Sequence, residues 1–289
     1  MAIYVSTTVF EDGGSAVEAT KLLLDAGLTR IELGSTHRPE LGLMQGLKRL
    51  KATYLTHNFF PAIEERLVLN LASQNEENRK RSIAFMRKAI DFASELGAEV
   101  YTIHPGFLVD PVSEGRSEKS YDFNYGEKRT FSEEYYRHHM DLFYRSLDEL
   151  AVYVEGRGVK LAIETQGSVT TKEFVMFSRP VDFSEFMARG YHDGIGINLN
   201  LSHTHLAAKV NGFDEKAVIQ QLLPRIFAVE VSHSDGHYDD HKALQAGAWY
   251  FELLKDPCFK TVPLIVEARN VAMSEVIVSC ELLDRLWPN

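Results

Sequence analysis

Eight short runs rich in β-branched and apolar residues alternate with amphipathic segments along the chain, and this alternation is what most constrains the fold. The runs lie at residues 3–7, 30–35, 54–59, 100–106, 160–167, 194–203, 226–235 and 262–269. The intervening segments have helical periodicity, and several end on a glycine such as Gly97 or Gly190. Strands that alternate with helices pair in parallel, and eight such units favour closure. We therefore predict a single-domain (β/α)8 barrel spanning residues 1–289.

An open, doubly wound sheet is the main alternative to a barrel. Such a sheet often carries a glycine-rich G-x-G-x-x-G turn after its first strand, where it binds a dinucleotide. The corresponding turn here, residues 6–16, reads STTVFEDGGSA and lacks that motif. The barrel remains the favoured fold.

Composition narrows the classes of partner. The net charge of −10 gives no global attraction to nucleic acid or to an anionic membrane, although a local basic patch stays open. The N-terminal residues do not resemble a signal peptide, and no apolar run is long enough to span a bilayer. Cys258 and Cys280 lack metal-ligand spacing, and we expect reduced, buried thiols in a cytoplasmic protein. Homo-oligomerisation is left open.

Polar residues gather where the predicted strands end, which is the face that carries active sites in barrels. The residues of this kind are His57, His104, Glu164, Asn200, His203, His233 and Glu267, with Asp239 and His241 in the loop after the seventh strand. A single histidine at a strand end is more often a surface or hydrogen-bonded residue than a ligand. A set that covers six of the eight strands instead predicts a metal site, because a cation satisfies inward charges.

Strand alternation indicates which of these side chains point to the barrel axis. Bulky Leu161 and Ile163 should face the helices, which turns Glu164 inward. By the same rule Asn198 and Asn200 point inward. Glu230 has the opposite parity to His233, and we therefore expect it to face the helices in an ion pair.

The longest connection, residues 107–131, follows the fourth strand and so lies on the active-site face of a barrel. Its Tyr121, Phe123 and Tyr125 could cover a substrate as a lid does. An oligomer contact or a self-packed loop explains these aromatic residues equally well.

The motifs together resemble the AP-endonuclease-2 or xylose isomerase-like barrel superfamily, which includes endonuclease IV and many sugar isomerases and epimerases. The resemblance covers nearly the whole chain. Its anchors, in order, lie at residues 55–73, 96–106, 161–167, 200–203, 229–233, 239–247 and 264–269. Each anchor alone is weak, but seven in the expected order identify the superfamily.

The resemblance implies two arrangements of metal. In the endonuclease branch three ions, usually zinc, would be held by three groups of ligands. These are His57 and His104 with a bridging Glu164; position 200 with His233 and Glu267; and His203 with Asp239 and His241. In the isomerase branch one ion, such as Mn²⁺ or Zn²⁺, would lie on Glu164, Asn200, His233 and Glu267. We therefore expect one to three Zn²⁺ or Mn²⁺ ions.

Asn200 is the departure from the family pattern, which has aspartate at that position. The amide oxygen can still bind a metal but carries no charge, which weakens the second site. We expect Asn200→Asp to tighten that site.

Three functions follow from the resemblance. In a sugar or sugar phosphate isomerase or epimerase, Glu164 and Glu267 would act as the acid–base pair. The strand at residues 30–35 resembles the isomerase branch, and the acidic balance fits a small-molecule sugar substrate. The alternative is a metal-dependent phosphodiester hydrolase on abasic DNA, favoured by the histidines that a one-metal isomerase does not need. A barrel that binds a metal or sugar without turnover is the third.

Overall fold

The computed structural model describes residues 2–116, 121–124, 132–167 and 175–287. Within them lie ten strands: β1 (Ile3–Ser6), β2 (Arg30–Leu33), β3 (Thr53–Thr56), β4 (Val100–Ile103), β5 (Ser113–Arg116), β6 (Tyr121–Asn124), β7 (Lys160–Glu164), β8 (Ile195–Asn200), β9 (Ile226–Val231) and β10 (Leu264–Val266). Eight of them pair in parallel in the order β1-β2-β3-β4-β7-β8-β9-β10, and β10 pairs back with β1. The predicted (β/α)8 barrel is confirmed. The other two strands, β5 and β6, form an antiparallel hairpin after β4.

Nine α-helices lie in the described residues: α1 (Ala16–Asp25), α2 (Leu43–Lys48), α3 (Glu76–Leu96), α4 (Glu133–Val154), α5 (Pro180–Arg189), α6 (Leu201–Asn211), α7 (Glu215–Leu222), α8 (Tyr250–Leu254) and α9 (Met273–Asp284). Local sequence explains their ends. The Asn75 side chain caps α3 by accepting from two backbone N–H groups, and Gly97 ends that helix at a φ of 78°. In the described part of the chain, no helix is long and apolar enough to cross a membrane.

The barrel buries two separate apolar layers. The larger lies between the outer faces of the strands and the helices. The smaller fills the N-terminal end of the barrel interior and consists of Tyr4, Leu55, Val100, Ala162, Ala228 and Ile265. Because side chains alternate along a strand, residues two positions beyond these also point to the axis, one layer closer to the C-terminal mouth. That layer contains the polar residues of the candidate site.

The predicted strands have the right positions, but most run past the observed C-terminal ends. The clearest case is the sixth predicted strand, residues 194–203, because β8 stops at Asn200 and α6 begins at Leu201. The Asn200 side chain accepts from the backbone N–H of His203 at 3.2 Å and caps the new helix. His203 therefore lies in the first turn of α6.

Two further expectations concern side chains outside the barrel interior. Cys280 is buried as expected, but Cys258 is partly exposed, because it lies in a short 3-10 helix whose buried residue is Phe259. The side chains proposed as a lid, Tyr121, Phe123 and Tyr125, fall outside the part of the chain whose side chains are described.

Candidate metal centre and active site

Glu164, the last residue of β7, lies at the centre of the polar cluster in the barrel mouth. Its Oε2 is 3.0 Å from Nε2 of His57 and 2.7 Å from Nε2 of His104, and its Oε1 is 2.8 Å from Nδ1 of His203. The carboxylate is 1% exposed, whereas the His104 side chain is 32% exposed. Glu164 therefore contacts three predicted ligands, of which His104 is partly exposed to solvent.

Asp239 brings together the second group of predicted ligands. Its Oδ1 is 2.8 Å from Nε2 of His241 and 3.3 Å from Nε2 of His203. His241 is fully buried, and its backbone has a φ of 46°, in the left-handed region that side chains disfavour. Its Nδ1 lies 3.1 Å from Oε2 of Glu267. The strained backbone aims the ring at two carboxylates, as strained residues in functional sites often do.

Asn200 links three carboxylates at the axis. Its Nδ2 lies 3.2 Å from Oε1 of Glu164, 2.9 Å from Oε2 of Glu230 and 3.1 Å from Oε2 of Glu267. The expectation that Asn198 and Asn200 point inward is correct, since Nδ2 of Asn198 also donates to Glu230 at 2.6 Å. The amide nitrogens of β8 thus hold the carboxylates of three strands together.

The prediction that Glu230 faces the helices in an ion pair is wrong. Glu230 is fully buried and points to the axis, where its Oε1 is 3.4 Å from Nε2 of His57. The parity of His233 does not apply to Glu230, because His233 lies two residues beyond the end of β9 at Val231. Ala228, a member of the apolar interior layer, is the correct reference and turns Glu230 inward.

His233 and His205 lie apart from this cluster. The backbone of His233 pairs with Lys242, and its ring lies near Tyr250 at 6.1 Å. No metal-capable group among the described residues includes His233. The ring of His205 stacks on Trp249 at 4.0 Å, and its Nδ1 is 2.6 Å from Glu215.

Glu32 on β2 is an interior carboxylate that the sequence analysis missed. It is 1% exposed, and neither of its oxygens has a hydrogen-bond partner. Burial, with the charges of Glu267 and Glu164, raises its pKa to about 7 although His57 opposes the shift. The signal was present in the sequence, because Glu32 alternates with apolar Ile31 and Leu33.

In the cluster, neighbouring imidazoles and carboxylates shift each other's pKa values in the direction opposite to the effect of burial. Burial alone would raise the pKa of Glu164, but His104, His203 and His57 hold it well below its usual range. Burial would lower the pKa of His57, but hydrogen bonding to Glu164 and the nearby carboxylates raise it to about 9. Without a cation, protons on the imidazoles offset the buried negative charge.

The residues fit a metal ion on the geometry of their donor atoms. Three groups have ligand atoms that all lie within 4.8 Å of one another: His57, His104 and Glu164; His203, Asp239 and His241; and His57, Glu230 and Glu267. Nε2 of His104, Nε2 of His241 and Oδ1 of Asp239 are buried and form no hydrogen bond of good geometry, despite contacts as short as 2.7 Å. Imidazole and carboxylate are the ligands that Zn²⁺ and Mn²⁺ take.

Gly167 fixes how closely the loop after β7 approaches α6. A Cβ atom at this position would lie 2.5 Å from the backbone Cα and O of His203. We predict that Gly167→Ala displaces the first turn of α6 and lowers metal affinity by roughly 10-fold or more, as changes beside ligands do. Titration calorimetry with Zn²⁺ measures it. Gly14→Ala is the control, because its nearest contact would be an ordinary 3.7 Å. Equal affinity in both variants would contradict the role of Gly167.

Sequence comparisons agree with the fold. The sequence profile of the family described as Xylose isomerase-like TIM barrel matches residues 21–283. The uncharacterized protein MJ1311 of Methanocaldococcus jannaschii is 26% identical over 219 residues, which are 74% of this chain and 65% of that protein. The match therefore spans just under two thirds of that relative.

Solved structures share the fold at low sequence identity. A D-tagatose 3-epimerase-like protein superposes with a TM-score of 0.75 at 19% identity, covering 99% of this chain and 97% of that one. The TTHB071 protein of Thermus thermophilus, in crystals soaked with ZnCl2, superposes with a TM-score of 0.64 at 19% identity, covering 98% of each chain.

Proposed function

Because the chain belongs to the xylose isomerase-like TIM barrel family, we propose that it is a metal-dependent isomerase or epimerase of a sugar or sugar phosphate. One observation carries the proposal most directly. The carboxylates of Glu164 and Glu267 approach one atom, Nδ2 of Asn200, at 3.2 and 3.1 Å. Two carboxylates this close together could divide the removal and the return of a proton between them. The likeness to a D-tagatose 3-epimerase-like protein supports the same class of substrate.

The reaction needs a base and an acid beside a carbonyl carbon. Glu164 is ionised at neutral pH, as an ordinary carboxylate is, and would remove the proton. Glu267 would return a proton that it has taken up from solvent, and His241, 3.1 Å from it, would position its carboxylate. A divalent cation, when bound, would polarise the carbonyl and make the neighbouring C–H acidic.

The cation would be held by imidazoles and carboxylates of the mouth, and we propose Zn²⁺ or Mn²⁺. The side chains that we propose as ligands, and whose mutual contacts support the proposal, are His57, His104, Glu164, His203, Asp239, His241 and Glu267. Asn200 and His233 stay predicted ligands without such support, since Asn200 turns its amide nitrogen to the carboxylates and His233 lies apart.

A metal-dependent phosphodiester hydrolase is the second candidate. The specific observation in its favour is the group of His203, Asp239 and His241, which lies beside the Glu164 group and exceeds what one metal needs. The net charge of −10 opposes a DNA substrate. The proposed partner is therefore a small sugar. We also propose a cytoplasmic location, which the two free cysteines support.

One pair of assays separates these candidates. Protein loaded with Zn²⁺ or with Mn²⁺ is incubated with a panel of ketoses and ketose phosphates, and in parallel with a duplex that contains one abasic site. We expect interconversion of at least one sugar and an intact duplex. Metal-dependent incision of the duplex, without sugar conversion, would replace the proposal with the hydrolase.

A further inference from the structure

We propose that Glu230 supplies the negative charge that Asn200 lacks, so that a divalent cation binds between His57, Glu230 and Glu267. This inference rests on the metal dependence in the proposed function and assigns a ligand that the sequence pattern does not. Ligand atoms of these three residues lie within 4.8 Å of one another, and all three side chains are buried. The group combines one imidazole with carboxylates from two neighbouring strands.

The orientation of the Asn200 amide argues against Asn200 as the ligand. Its Oδ1 accepts from the backbone N–H of His203 and caps α6, which leaves Nδ2 toward the axis. An amide nitrogen has two hydrogens and no lone pair for a metal. Three carboxylates nevertheless surround it within 3.2 Å, one more than it can satisfy. Asn200 could offer its oxygen to a cation only by giving up the helix cap.

Glu230 is held as an oriented metal ligand would be. Its two oxygens accept from Nδ2 of Asn198 at 2.6 Å and from Nδ2 of Asn200 at 2.9 Å. Hydrogen bonds of this kind fix the carboxylates that bind metals in proteins. A cation between Glu230 and Glu267 would offset the repulsion between the two buried carboxylates.

The strand register places the residue that lacks a negative charge beside the residue that would supply it. Asn200 of β8 and Glu230 of β9 are directly paired across the sheet. A carboxylate that is missing on one strand is therefore present on the adjacent residue of the next strand.

The test uses metal content and affinity and therefore needs no substrate. Zn²⁺ and Mn²⁺ are titrated by calorimetry, and bound metal is counted after dialysis. The proteins are the wild type, Glu230→Gln, Asn200→Asp and the double variant Asn200→Asp/Glu230→Gln. Glu32→Gln is the matched control, because Glu32 is a buried carboxylate of the same interior but belongs to none of the metal-capable groups found in the described residues.

We expect Glu230→Gln to lose one equivalent of metal or roughly 10- to 100-fold in affinity. The double variant should recover most of this loss by returning the charge to β8, and Glu32→Gln should change little. Unchanged metal binding in Glu230→Gln, or an equal loss in Glu32→Gln, would overturn the inference. If Glu230→Gln does not fold, Glu230→Asp replaces it: the shortened carboxylate should bind more weakly but with unchanged stoichiometry, and wild-type affinity would count against the role. A protein that passes this test but converts no sugar refutes only the proposed function.

Discussion

Glu164→Gln should lower turnover of the sugar substrate by about 10²–10⁴-fold, the range that a general base contributes. Glutamine keeps the size of the side chain but cannot accept a proton, and it carries no charge for the imidazoles around it. Because His57, His104 and His203 all contact this carboxylate, the variant should also bind less metal. Steady-state kinetics at saturating metal, together with the bound metal per chain, measure the two effects separately.

Two further variants, Glu267→Gln and Glu252→Gln, serve as a comparison and as a control for this result. Glu267→Gln should reduce turnover to a similar extent while keeping the ligands around Glu164. Glu252→Gln is the control, because that side chain is 70% exposed on α8. A Glu164→Gln protein that retains wild-type turnover would show that another group removes the proton.

Removal of metal should lower the melting temperature strongly. Four buried glutamates and the largely buried Asp239 lie in the mouth, and without a cation their repulsion is offset by protonated imidazoles and by the amides of Asn198 and Asn200. A ligand at a hundredfold excess over Kd adds about 2.7 kcal/mol, which for a chain of this size corresponds to a shift of roughly 4–5 °C. Thermal unfolding with saturating Zn²⁺ and with a chelator measures this shift.

The shift should shrink as the pH falls below about 9, the pKa of His57 in the metal-free protein, because the imidazoles must lose their protons to bind metal. Glu164→Gln serves as the control, since its smaller metal content predicts a smaller difference between the two conditions. Equal melting temperatures for the wild type with metal and with chelator at pH ~7.5 would contradict a metal centre in this cluster.

The fold was predictable because the evidence for it is repeated eight times. Each strand has an apolar run of the right length, and helix signals such as Asn75 and Gly97 stand between the runs. Strand ends were less predictable. The apolar alternation of residues 194–200 continues through Leu201, but α6 starts at Leu201. The helix begins there because the Asn200 side chain accepts a hydrogen bond from the backbone N–H of His203, and this contact cannot be read from the alternation.

The site was predictable where strand parity had the right reference. Leu161 and Ile163 place Glu164 correctly, and the same rule applied to Ile31 and Leu33 would have found Glu32. Under the same rule His233 gives the wrong orientation for Glu230, because His233 lies beyond the end of the strand. Ala228, which lies in the apolar interior layer, is the residue that fixes the inward face of β9. Which atom of Asn200 faces the axis could not be read from the sequence, since it depends on the helix cap.

Exchange of solvent deuterium into a sugar tests the central claim most directly. The metal-loaded protein is incubated in D2O with each ketose of the panel, and deuterium at the carbon beside the carbonyl is followed by NMR. We predict metal-dependent incorporation by the wild type and its loss in Glu164→Gln and Glu267→Gln, with Glu252→Gln unaffected. No incorporation into any sugar, together with metal-dependent incision of an abasic duplex, would contradict proton transfer by the two glutamates.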